Sequence, residues 1–89
     1  MKVRWTEPAV SQLQQIHSYI AGDNLRAANK TVRIIGTAIE QAAKLPLAAR
    51  QGRIAGTREL VVPGTSYLVV FRIVEKCIHI LAIFHGAQQ

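Results

Sequence analysis

Glu59, Arg72 and His85 are the side chains of this sequence whose types could serve one reaction together. Cleavage of RNA through its 2′-hydroxyl needs a base to take that proton and an acid for the leaving 5′-oxygen. It also needs a cation for the crowded, negatively charged phosphorus. Glu59 or His85 fits the proton-transfer roles, and Arg72 fits the cationic one. Equally, Arg72 can pair with a carboxylate and His85 can merely end a strand; the spacing does not choose between these readings. Other chemistry is poorly provided for. His17, His79 and His85 lack metal-ligand spacing and Cys77 stands alone, so no metal is expected. The phosphate-cradling pattern G-x-x-x-x-G-K-[ST] is absent, and no cofactor is expected. His17, beside a helical apolar stripe, and His79, between Ile78 and Ile80, read as structural residues.

The three candidates belong to the stretch Gly56 to His85, which holds three apolar runs separated by turn signals. Glu59 to Val62 ends at Pro63-Gly64-Thr65, Tyr67 to Val74 ends at Glu75-Lys76, and Ile78 to Phe84 follows. β-Branched and aromatic residues dominate, and the short links predict an antiparallel meander. Strand alternation sends Tyr67, Val69, Phe71 and Ile73 to one face, and Leu68, Val70, Val74 and Arg72 to the other. On the last strand it groups His85 with His79, Leu81 and Ile83. The register that would bring Arg72 near His85 is not legible at this level.

Upstream, Val3 and Trp5 alternate with Lys2 and Arg4, a short first strand. Thr6 is placed to cap a helix whose first turn holds Glu7-Pro8. Val10, Leu13, Ile16 or His17, and Ile20 recur at helical spacing, and Gly22 suits a C-terminal stop. Asp23 or Asn24 can cap a second helix with an inward stripe of Ala28, Val32, Ile35, Ile39 and Ala42. Gly36 in its middle costs about 1 kcal/mol against alanine, a cost that close packing would explain. Pro46 ends this helix near Lys44 or Leu45. Residues 46–58 form a connection made basic by Arg50, Arg53 and Arg58, either a solvated loop or an anion-contacting edge beside the sheet.

These elements predict one α+β domain over residues 1–89, in the order β-α-α-β-β-β, with a helical hairpin packed on one face of an antiparallel sheet. With 49% hydrophobic and 18% charged residues the chain is not disordered. No apolar run reaches the ~18–20 residues of a membrane span, and MKVRWTEP lacks the apolar core of a signal peptide. The lone Cys77 fits a reducing cytoplasm. Eleven Lys and Arg against five Asp and Glu give a net +6, which fits either plain solubility or a polyanionic partner, nucleic acid or acidic protein. Since the hairpin covers a single sheet face, Leu68, Val70 and Leu81 or Ile83 are expected to line an exposed apolar surface on the other. That surface would suit a partner polypeptide or a second copy of the chain.

Several stretches together resemble the ParE branch of the ParE/RelE toxin superfamily, the toxin halves of bacterial type II toxin–antitoxin pairs. They are W-x-x-x-A at Trp5 to Ala9, I-x-x-Y-I-A at Ile16 to Ala21, and Ala27-Ala28. G-R-x-x-G-T-R-E-L at Gly52 to Leu60, Y-L-V-V-F-R at Tyr67 to Arg72, and I-L-A-I-F-H-G-A-Q at Ile80 to Gln88 complete the set. The resemblance implies a cytoplasmic protein bound by a cognate antitoxin, whose C-terminal segment wraps the toxin, as a hetero-oligomer or with a homo-oligomer as the alternative. ParE-like toxins inhibit DNA gyrase without an enzymatic site of their own. On that reading Arg58, Glu59, Arg72 and His85 are candidates for target contact, and Tyr67, Leu68 and Val70 for antitoxin contact. RelE-like relatives instead cut messenger RNA on the ribosome, which would make Glu59, Arg72 and His85 catalytic. Such nucleases tend to carry several basic residues and a terminal tyrosine or histidine. This chain has no C-terminal tyrosine, and Lys76 is the one lysine after position 44. A third reading is a non-toxic basic binding module.

Overall fold

In the computed structural model, which describes residues 1–86, one hydroxyl joins the first strand, the first helix and the last strand. Thr6 follows β1 (Lys2–Trp5) and caps α1 (Glu7–Ala21). Its Oγ accepts from the Ala9 N–H at 3.4 Å and donates to the Ile80 carbonyl at 2.7 Å. Asn24 does the same capping work for α2 (Leu25–Lys44), accepting from the Ala27 N–H at 3.0 Å. Between the helices α1 stops at Ala21 with Gly22 as its cap, where the sequence suggested, and the Gly22 backbone is right-handed with φ −58°. His17 and Asn29 hydrogen-bond across the hairpin at 2.8 Å, which gives His17 the structural role its position suggested.

After a single 3-10 turn at Pro46–Ala48 come β2 (Arg50–Gln51), β3 (Arg58–Val61), β4 (Tyr67–Val74) and β5 (Cys77–His85). The sheet order is β1-β5-β4-β3-β2. The meander is antiparallel as the short links require, but β1 lies parallel to β5, so the sheet is mixed. Residues 46–58 are not a free loop: they supply the fifth strand and extend the sheet edge. Ala87 and Gln88, the end of the H-G-A-Q motif, lie outside the described residues. No helix is long and apolar enough to cross a membrane among the described residues.

The hairpin packs on the face carrying Val69 and Phe71 of β4, with Ile78, Ile80 and Ile83 of β5 and Ile35 and Ile39 of α2. Burying each such side chain contributes about 1.5–3 kcal/mol. The predicted stripe of α2 is in place at Ala28, Ile35, Ile39 and Ala42, while Val32 is only half-buried. Gly36 is different. A Cβ built there would meet nothing within 4 Å, so no close approach explains the glycine. Gly36→Ala is therefore expected to stabilise the fold by about 0.5–1 kcal/mol, through helix propensity and a less flexible unfolded chain. That is a rise of several degrees in melting temperature for a domain this size. A lower melting temperature by circular dichroism would show that the space at Gly36 is needed.

Candidate functional site

Glu59 organises the basic connection. It is 7% exposed. One carboxylate oxygen accepts from Arg50 Nη2 at 3.0 Å and the other from the Arg53 backbone N–H at 3.2 Å. The loop between β2 and β3 closes around this carboxylate. The Gly52 N–H donates to the Thr57 carbonyl at 2.8 Å, and Thr57 Oγ donates to the Ile54 carbonyl at 2.6 Å. Gly52 is required sterically, since a Cβ there would fall 2.2 Å from Thr57 Oγ. Arg58 points to the other face, toward the helices, and donates to the Ala49 carbonyl at 2.8 Å. Both residues of the R-E pair thus hold the connection in place.

A bulge then separates the candidates. Val70 pairs with Ala82, but Phe71 pairs with Ile80, leaving Leu81 as the extra residue. Strict alternation had put His85 with His79; the bulge sends them to opposite faces. Arg72 and His79 oppose each other on the face away from the helices. His85 opposes Tyr67 on the helix face, where the two rings meet edge-on with centroids 5.5 Å apart. Tyr67 and Arg72 are five residues apart on β4, so Arg72 and His85 are separated by roughly 17 Å along the strand as well as by the thickness of the sheet. Glu59 lies opposite Val70 and shares the face of Arg72. Arg72 and Glu59 therefore share a face, but neither can act in concert with His85.

The apolar surface left uncovered is only partly where the layer count put it: on the face away from the helices Val61 is exposed and Val70, Ala82 and Phe84 are half-buried. Leu68 is only 4% exposed, between its cross-strand neighbours Val61 and Phe84, and Ile83 is a core residue at 1% exposure on the helix side. Val70 and Leu81 are half-buried. A further open apolar surface lies on the helix side, where α2 stops short of covering β3. A groove of about 740 Å³ runs there, floored by Ile34, Ala38, Ala42 and Leu60, with Lys30 and Arg33 on its rim. Its sequence signal was present: Ile34 and Ala38 stand four residues apart beside the inward stripe, in line with Ala42 of the stripe itself. A second row of apolar residues on a helix reads as extra core until the sheet beneath it is known to be too narrow.

The comparisons with known proteins cover the whole domain. Residues 3–89 match the family described as ParE toxin of type II toxin-antitoxin system, parDE. The chain belongs to the ParE toxin family. A protein of Sinorhizobium fredii (strain NBRC 101917 / NGR234), named Putative toxin Y4kP, is 40% identical over 88 residues, covering 99% of this chain and 91% of that protein. A chain of the chromosomal ParDE TA system from P. aeruginosa superposes with a TM-score of 0.84 over 96% of this chain and 95% of that one. At 24% identity that likeness speaks to the fold alone. The mixed sheet with two helices on one face is thus a ParE toxin fold, and the toxin of a type II toxin–antitoxin system is what the family assigns.

Within this ParE-type toxin, Glu59 acts first on structure. Glu59→Ala leaves the Arg53 N–H and the Arg50 guanidinium without their acceptor, at a cost of about 1–3 kcal/mol tempered by the half-exposed Arg50. We expect a lower melting temperature and faster tryptic cleavage at Arg53. An unchanged digestion rate would show that the carboxylate does not hold the loop.

Proposed function

We propose that this toxin acts by binding a protein target, DNA gyrase, rather than by cutting RNA, and that a cognate antitoxin neutralises it. The observation that carries the choice is the dispersal of Glu59, Arg72 and His85 over two faces of the sheet. Acid–base cleavage of a phosphodiester needs its proton donor and acceptor within hydrogen-bond reach of one phosphate. Membership of the ParE toxin family supports the gyrase reading, since gyrase inhibition is what the resemblance to the ParE branch implies. Arg72 is the most accessible of the four target-contact candidates; Arg58 and Glu59 are committed to the β2–β3 connection. The experiment adds purified toxin to gyrase with relaxed plasmid, and in parallel to a translating ribosome mixture. Loss of supercoiling or trapped cleavage complexes is expected. Codon-located cuts in messenger RNA that vanish in His85→Ala would overturn the reading in favour of a ribosome-dependent nuclease.

The groove between α2 and β3 supports the antitoxin half of the proposal. Its floor is apolar and its rim cationic, which suits an amphipathic helix carrying acidic residues beside its apolar face. Of the antitoxin candidates from sequence, Tyr67 lies one strand away on β4, while Leu68 and Val70 face the opposite side of the sheet, and Leu68 has almost no surface to offer. Ala38→Glu places a carboxylate on the groove floor and is expected to abolish co-purification of the co-expressed antitoxin while leaving the circular dichroism spectrum unchanged. Retained co-purification would place the antitoxin elsewhere.

A further inference from the structure

The parallel pairing of β1 with β5 creates a row of side chains that the sequence order hides. Arg4 lies opposite His79, and His79 lies opposite Arg72. Val3 and Trp5 pack into the core, so Lys2 and Arg4 face away from the helices. Arg72 does so as well, since Phe71 and Ile73 pack inward. The next row is Lys2, Cys77 and Val74, closed by the Glu75-Lys76 turn. Four cations, Lys2, Arg4, Arg72 and Lys76, thus stand on one end of the open face, all exposed, and the acid that lines this end is Glu75 in the turn. None of the four has an ion pair among the described residues. Strand spacing sets Arg4 and Arg72 roughly 10 Å apart at their Cα atoms, with His79 between them.

We infer that this row binds the phosphate backbone of duplex DNA, without reading its sequence. Three features choose that ligand. The patch has no desolvated apolar centre: Val74 and Cys77 are half-buried, Met1 at its edge is exposed to water, and the other side chains around them are charged or polar. Protein partners draw most of their binding energy from such a centre, whereas DNA interfaces are polar and basic. The patch also has no aromatic stacking platform, which argues against single strands. Phe84, the aromatic residue of β5 on this face, pairs with Leu68 at the far end of the strand. Finally, the cations stand on a broad sheet face rather than on a projecting helix or ribbon. They can reach phosphates but do not enter a groove to contact base edges. The inference stands apart from the gyrase reading, since DNA contact by this row is measured without gyrase.

The test is fluorescence anisotropy with the full-length toxin and two labelled 30-base-pair duplexes of unrelated sequence. Four phosphate contacts predict a slope of log affinity against log salt of about −3.6, a loss of about 100-fold between 50 and 200 mM NaCl. The double variant R4Q/R72Q should bind more weakly and lose only about 10-fold over the same range. The double variant K30Q/R33Q removes the same charge from the groove rim on the opposite side of the sheet, and should keep the parental slope. All these residues are at least partly exposed, and thermal melts check that each variant is folded. Both duplexes should bind alike, and a single strand or poly-glutamate of equal charge should compete less well. No binding at 50 mM NaCl, equal weakening by both double variants, or better competition by poly-glutamate overturns the inference.

Discussion

The Thr6 hydroxyl, bonded to the Ile80 carbonyl, is the contact on which the arrangement of this domain depends. It sits where β1 must stop and α1 must start, and it satisfies the carbonyl of Ile80, the last residue of β5 that pairs with β1. The Thr6 backbone N–H donates to the same carbonyl at 3.2 Å. Farther along, Gln12 of α1 accepts the Ile83 N–H at 2.7 Å, so α1 covers the edge of β5 that β1 leaves open. These bonds join residues more than seventy positions apart. They also commit α1 to one face, because a helix that begins at Thr6 must turn back over the strands that β1 has just joined.

From that commitment the two faces acquire different chemistry. On the helix side, α1 and α2 are wide enough to cover β5 and β4 but not β3, and the uncovered width is the groove beneath Lys30 and Arg33. On the other side, β1 adds Lys2 and Arg4 to the row begun by Arg72 and His79. The bulge at Leu81 sharpens the difference. It turns Ile83 into the core and carries His85 to Tyr67, so the second half of β5 no longer shares a face with His79. One extra residue therefore decides which histidine belongs to which surface.

Local signals carried most of the fold. Thr6 and Asn24 cap the two helices as their side chains suggest, and Tyr67–Val74 is a strand with its apolar residues on the expected faces. The family resemblance read from Gly52–Leu60, Tyr67–Arg72 and the last strand agrees with the family match over residues 3–89. What stayed hidden was long-range. Nothing near Lys2–Trp5 says that its partner is Cys77–Ile80, or that the pairing is parallel. The bulge was invisible because Ile80, Leu81, Ala82 and Ile83 are all apolar, so no break in alternation marks the extra residue. The apolar groove on the helix side was hidden as well, because counting layers does not tell how wide each layer is.

Separation of the groove from the basic row has a physical consequence for how the toxin can be occupied. The sheet lies between them, with Val69 and Phe71 of β4 packed in the core on one side and Arg72 on the other. A peptide helix seated on Ile34, Ala38 and Leu60 buries apolar area without displacing any group of the Arg4–His79–Arg72 row. Conversely, an anion held by that row screens Lys30 and Arg33 only weakly. Several strands' width and a Debye length of about 8 Å at physiological salt separate the two sets of charges. Glu59 lies on the face of Arg72 and is tied to the edge strand that flanks β3. The buried carboxylate that looks like a catalytic base in the sequence instead holds the β2–β3 connection at the edge of the sheet.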